Sequence, residues 1–156
     1  MKLAVLAVGH RQPAWIDAGC AEYLKRMPRE LATRIVPIKP EVRGSKTREQ
    51  VLAAEARRIR EALPSPCRLV VLDEHGDDLT TLKFAQRLEH WMQEGRDIAF
   101  VIGSADGIDA GLKDMAEDCL RLSSLTLPHG MACLLLCEQL YRASSVLKNH
   151  PYHREG

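Results

Sequence analysis

Short, wholly apolar runs that alternate with helical patterns constrain this chain more than any other feature of its sequence. Leu3 to Val8 and Ile98 to Ile102 contain no polar residue, and Arg68 to Leu72 is apolar after its first position. Such runs read as buried strands, and the helix-period stretches between them predict an α/β fold. The expected architecture is a mostly parallel sheet with helices on both faces.

The intervening segments fill in the pattern. After Pro13, Ile16, Cys20, Tyr23 and Met27 recur at helical spacing and predict an amphipathic helix. Thr33 to Ile38 is a second strand, bounded by Pro37 and Pro40. Lys39 to Arg48, with Lys39, Arg43, Lys46 and Arg48 around Gly44, reads as a mobile basic loop. Thr47 and Gln50 form a capping box for a helix whose buried stripe is Leu52, Ala56, Ile59 and Leu63.

Beyond Leu72 a polar turn is expected at Asp73 to Gly76, then a helix capped by Thr80 or Thr81 with Phe84, Leu88 and Trp91 inward. Gly103 to Gly107 should link the Ile98–Ile102 strand to a short helix around Leu112 to Cys119. Leu122 to Leu127 reads as extended, and a long helix runs from about Met131 to Lys148. No repeat or flexible linker interrupts the 156 residues, so a single domain, 1–156, is expected.

Charge narrows the function classes. Lys and Arg total 22 against 21 Asp and Glu, a formal charge of +1, whereas a general nucleic-acid binder carries a clear basic excess. An RNA substrate would have to meet a local basic patch, or one built by two subunits. The five cysteines form no C-x-x-C pair, which argues for reduced thiols and a cytoplasmic protein. No stretch approaches the roughly 20 apolar residues of a membrane span, so no membrane association is expected.

Ligands of parallel α/β sheets bind outside the carboxyl ends of the strands, here at Leu72, at Gly103 to Gly107 and at Leu122 to Leu127. Gly103 and Gly107 would let backbone approach a ligand closely, although for the loop taken alone a tight strand-to-helix turn is the better explanation. The run Leu122-Ser123-Ser124-Leu125-Thr126-Leu127 offers backbone hydrogen-bonding groups beside apolar walls, which suits an adenine ring. Glu138 and Arg142, four apart on the long helix, form an ion pair by spacing and either brace the structure or face a site. His129, Cys133 and Cys137 share one helical face, but no second Cys or His pair completes a zinc pattern, and no metal is expected. The tail His150-Pro151-Tyr152-His153-Arg154 supplies a general base, a stacking face and an anion clamp within five positions.

Four of these segments carry a family resemblance. Ile102-Gly103-Ser104-Ala105-Asp106-Gly107, Leu122 through Pro128-His129, Glu138-Gln139-Leu140-Tyr141-Arg142-Ala143 and the ending Asn149 through Glu155 resemble the RlmH family. These are bacterial 23S rRNA pseudouridine N3-methyltransferases of the SPOUT superfamily. Met1-Lys2-Leu3, Gly9, Trp15 and Glu22-Tyr23-Leu24 fit as well, so the similarity spans the chain. The resemblance implies a SPOUT-type α/β knot, with a C-terminal trefoil knot over about 68–156. It also implies S-adenosyl-L-methionine bound by Leu72, Gly103, Leu122, Ser123, Ser124, Leu125, Thr126 and Leu127. It implies further a homodimer acting on helix 69 of 23S rRNA in the assembled ribosome. Two positions depart from the family, which usually has arginine at Cys133 and tryptophan at Ser144.

The chemistry so implied moves a methyl group to an imide nitrogen whose proton must leave. His153 is expected to assist deprotonation, Arg142 or Arg154 to stabilise the anion, and Tyr152 to stack on or hydrogen-bond the base. The alternatives are a SPOUT methyltransferase with another RNA target, a non-catalytic ribosome-binding factor and a metal-binding protein.

Overall fold

Strand β1 (Leu3–Val8) lies inside a five-stranded sheet in the computed structural model, which describes residues 1–154. The other strands are β2 (Thr33–Ile38), β3 (Cys67–Asp78), β4 (Asp97–Ile102) and β5 (Asp118–Arg121). Their order is β2-β1-β4-β3-β5, and every pairing is parallel. Helices α1 (Ala14–Lys25), α2 (Arg48–Ala62), α3 (Thr81–Glu94), α4 (Ala110–Met115) and α5 (His129–Leu147) connect and cover them.

Both sheet faces are buried, which is why the central strands are apolar throughout. Leu3, Val5, Val70, Ile98 and Phe100 point to one side, where α1, α3 and α5 cover them with Ile16, Leu88 and Leu136. Ala4, Leu6, Val71, Ala99 and Val101 point to the other, against Ala56 and Ile59 of α2 and Leu112 of α4. Strand β2 is the edge beside β1, and it runs on through Pro37, which an edge tolerates.

Local signals set the helix ends. The Thr47 hydroxyl accepts the Gln50 N–H while the Gln50 side chain accepts the Thr47 N–H, so the capping box is formed. Thr80, not Thr81, caps α3, and Gly95 closes it in the left-handed conformation. Tyr23 on α1 is only half-buried and Met27 lies past the helix end.

Three expectations are corrected. The polar turn after Leu72 is instead a continuation of β3 to Asp78. Leu72 and Asp77 both pair with Leu120, so the residues between them bulge out of register. Gly76 permits this, because a methyl group there would lie 2.6 Å from the Leu120 carbonyl carbon. The short helix ends at Met115 and Cys119 belongs to β5, where Arg68 and Arg87 anchor the neighbouring Asp118. Leu122 to Leu127 is a bent loop rather than an extended strand, since the Ser123 hydroxyl accepts the Leu125 N–H at 2.9 Å and turns the chain off the sheet. Among the described residues no helix is long and apolar enough to cross a membrane.

Candidate active site

The sheet order sets β4, β3 and β5 side by side and parallel, so their carboxyl ends share one edge. Gly103 and the Leu122–Leu127 loop follow the ends of β4 and β5, and Leu72 lies level with them in β3, just before the bulge. A cavity of about 200 Å³ opens there between Leu72, Leu120 and Leu122 of the strand ends, Phe84 of α3, and Leu136 and Gln139 of α5. Its walls are largely apolar, with Thr80, Thr81, Gln139 and Arg121 as polar groups. Of the candidate cofactor residues, Leu72 and Leu122 line it. Gly103, Ser123, Ser124, Leu125, Thr126 and Leu127 lie on the adjoining loops. Among the described residues, no backbone–backbone hydrogen bond is donated by the N–H groups of residues 123–127. The Leu125 N–H is taken by the Ser123 hydroxyl; the other backbone donors of this loop adjoin an apolar cavity, which fits the needs of a nucleoside.

The Gly103–Gly107 loop is braced from below. Its ends meet in a Ser104–Gly107 bridge, with the Gly107 N–H donating to the Ser104 carbonyl at 2.9 Å. A methyl group at Gly103 would collide with the Gly107 carbonyl, so this glycine closes its own turn rather than clearing space for a ligand. The Ser104 hydroxyl donates to Glu55 at 2.8 Å, and the other Glu55 oxygen accepts the Glu41 N–H at 3.0 Å. Arg43 pairs with the Asp106 carboxylate at 2.8 Å, and Arg48 donates twice to the Asp106 carbonyl. The basic loop is thus tied to the glycine loop, with Arg43 and Arg48 on Asp106 and Lys46 near Glu41 at 3.9 Å.

His129 joins the same region at the start of α5. Its Nδ1 lies 3.1 Å from the Gly103 carbonyl, an acceptor, so Nδ1 carries the proton, and the ring lies against Gly9 at the end of β1. Burial lowers its pKa and favours the neutral ring. The predicted face of His129, Cys133 and Cys137 therefore divides: His129 turns to Gly103, whereas both cysteines face Cys20 of α1. Next to Leu72, at the start of the β3 bulge, burial raises the pKa of Asp73, but the His75 N–H and Lys113 outweigh it and hold the carboxyl below its usual range.

The carboxy-terminal tail forms one 3₁₀ turn, Pro151–Arg154, against α5. Tyr152 packs on Tyr141 with ring centroids 4.6 Å apart, and the Arg142 guanidinium lies 4.8 Å from its centroid. Burial and hydrogen bonding to Tyr23 push the Tyr152 hydroxyl up to about 12, so it remains a donor near neutral pH. Arg142 Nε donates to Glu138 at 2.8 Å, and that contact raises the Arg142 pKa. Glu138 also accepts from Gln139 at 3.0 Å, and the Gln139 oxygen accepts from Thr81 at 2.8 Å. A polar chain therefore runs from Tyr152 through Arg142, Glu138 and Gln139 to Thr81, at the cavity wall.

The structure thus brings Tyr152 and Arg142 together and links them to the cavity, while His153 and Arg154 do not line it. His153 Nδ1 is buried without a hydrogen-bond partner among the described residues. Arg154 is exposed, with a guanidinium nitrogen 3.5 Å from Asn149 Oδ1. Glu155, which ends the quoted tail motif, lies outside the described residues. Sequence reasoning missed Gln139, Thr81 and Glu55. An acid set beside Leu52 and Ala56 was the available signal for Glu55; for Gln139 it was its place in the Glu138–Ala143 segment of the resemblance.

A family profile described as "Predicted SPOUT methyltransferase" matches residues 1–153. The chain is 76% identical over 156 residues, all of both chains, to ribosomal RNA large subunit methyltransferase H of Dechloromonas aromatica (strain RCB). It is 59% identical to the protein of that name in Burkholderia thailandensis and 58% in Ralstonia pickettii (strain 12J), each over 155 residues and 99% of both chains. With a parallel sheet whose strand ends adjoin one cavity and a match running almost from end to end, this chain is a methyltransferase and belongs to the SPOUT family.

Proposed function

We propose that this chain methylates N3 of a pseudouridine in helix 69 of 23S rRNA on the assembled ribosome, using S-adenosyl-L-methionine, as a cytoplasmic homodimer. The observation that carries the reading is the polar chain joining the cavity at Leu72 and Leu122 to the Arg142–Tyr152 pair. The names of the full-length relatives supply the substrate class, ribosomal RNA. The finer target rests on the resemblance of the glycine loop, the Leu122–His129 run and the tail. The same resemblance extends the assignment to one unit, 1–156, with a trefoil knot over about 68–156.

The cofactor would be held by Leu72, Gly103 and residues Leu122, Ser123, Ser124, Leu125, Thr126 and Leu127, through apolar walls and the backbone groups of the loop. When bound, it supplies an electrophilic methyl group on a sulfonium. Everything else falls to side chains. Tyr152 presents an aromatic face and a protonated hydroxyl to the base. Arg142, kept cationic and oriented by Glu138, stabilises the charge left when the imide proton departs. His153 is assigned to take that proton and Arg154 to hold neighbouring phosphate; with His153 Nδ1 buried and off the cavity wall, this requires the tail to turn toward the bound base. Positioning supplies much of the rate, because the imide anion reacts only when aligned.

Two exposed side chains support the dimer. Trp15 is 61% exposed and Met131 38%, at the starts of α1 and α5, which pack together where Gly130 meets Gln12 and Ile16. Pairing this surface would give a nearly neutral chain a composite RNA site.

The test is transfer of labelled methyl groups to intact ribosomes lacking the modification, with free rRNA and tRNA alongside. Label in helix 69 is expected. Label on tRNA instead would redirect the assignment to another RNA, and cofactor binding without label on any RNA would favour a ribosome-binding factor. His153→Ala should lower turnover by about 10²–10⁴ with cofactor affinity unchanged; full turnover would remove His153 from the mechanism.

A further inference from the structure

Where α1 packs on α5, the core holds three sulfurs. Cys20 comes from α1, while Cys133 and Cys137, one turn apart, come from α5. All three are buried, and their Sγ atoms lie within 4.8 Å of one another. Ile16, Leu136 and Leu140 belong to the same apolar cluster. The remaining cysteines, Cys67 and Cys119, pack with the core on the opposite face of the sheet.

Buried cysteines are ordinarily small apolar filler. Convergence of three from two helices is a different matter, because it makes a concentrated soft-donor set. Zinc in a structural site takes four ligands, and this group offers three among the described residues. Thiolates select soft ions, copper(I) foremost among those content with fewer ligands. With metal–sulfur bonds of about 2.3 Å, a trigonal ion holds its sulfurs roughly 4 Å apart, so only a slight contraction separates the observed cluster from a site.

We propose that Cys20, Cys133 and Cys137 form a three-sulfur site for copper(I). Each S–H replaced by a Cu–S bond releases one proton to solvent, and no electron moves. Thiol protons are lost as the metal binds, so affinity should rise with pH. Occupancy would clamp α1 to α5, the helices that carry Tyr23 and Tyr141 under the tail. The inference stands apart from the methyltransferase reading.

The experiment titrates the reduced, full-length protein with copper(I) held by a chromophoric chelator, without oxygen. One ion withdrawn per chain, a sulfur-only three-coordinate shell by X-ray absorption and a raised melting temperature are expected. Cys20→Ser and Cys133→Ser should each weaken binding by more than the roughly 100-fold typical of outer-shell losses, while joint Cys67→Ser and Cys119→Ser should change nothing. Alkylation of the unmutated protein gives a second reading independent of variant folding: copper should shield three thiols and leave Cys67 and Cys119 to react. Failure to withdraw copper, unchanged affinity in Cys133→Ser, loss of binding in the Cys67/Cys119 variant, or preference for four-coordinate zinc would each overturn the proposal.

Discussion

Glu55 is only 3% exposed, and both of its oxygens are engaged, one by the Ser104 hydroxyl and one by the Glu41 N–H. It therefore couples the glycine loop after β4 to the basic loop before α2. Truncation leaves two donors without partners at a place where water is scarce. Glu55→Ala should cost about 1–3 kcal/mol in denaturant unfolding and should also weaken cofactor binding by loosening Ser104. A loss of stability with cofactor affinity untouched would confine Glu55 to the scaffold. Ser144 is a different case. It is buried, its hydroxyl donates to the Tyr141 carbonyl at 2.7 Å, and it borders a second cavity of about 350 Å³ with Leu31, Met92 and Leu147. A small residue therefore stands beside open space at this position.

At the scale of elements, α5 is held to the sheet edge through His129, whose ring spans Gly9 and the Gly103 carbonyl. Burial depresses its pKa below the ordinary 6.5, so the unfolded chain takes up a proton there that the native ring refuses. The stability this neutral contact contributes is present above 6.5 and falls as the pH drops through and below that value. Thermal unfolding followed between about pH 7 and pH 5 should show a shallower decline in His129→Gln than in the parent protein. An equal slope would place the acid sensitivity elsewhere. Strand β5 is tied down differently: Arg68, against the Trp91 ring, pairs with Asp118 and Glu94, fastening the outer strand to β3 and α3.

For the whole molecule, the tail and the cavity are joined by a single polar chain, and the exposed pair Trp15 and Met131 lies at the α1–α5 surface. Two copies meeting there would bury apolar area that a monomer leaves in water. Trp15→Glu combined with Met131→Glu should convert the protein to a monomer in sedimentation equilibrium, with its circular dichroism unchanged, and should abolish methylation of ribosomes. Retained dimers would move the interface to another face, and an active monomer would show that one chain completes its own site.

Strands β1, β2 and β4, the capping box at Thr47 and a threonine cap at Thr80 or Thr81 were legible because each depends on residues within a few positions of one another. Apolar runs and capping side chains act locally, and local periodicity records them. The four-residue β5 was not legible, since so short a strand exists only by pairing with β3, and the bulge after Leu72 depends on where Leu120 comes to lie. Nor could spacing foresee that Cys133 and Cys137 would meet Cys20, or that Thr81 would reach Gln139 and extend the Glu138–Arg142 pair to the cavity. The sequence by itself determined the layered α/β class and, through its motifs, the family. Tertiary structure alone decided which distant side chains share a site, because those contacts arise from the packing of helices across a sheet and leave no periodic trace in the chain.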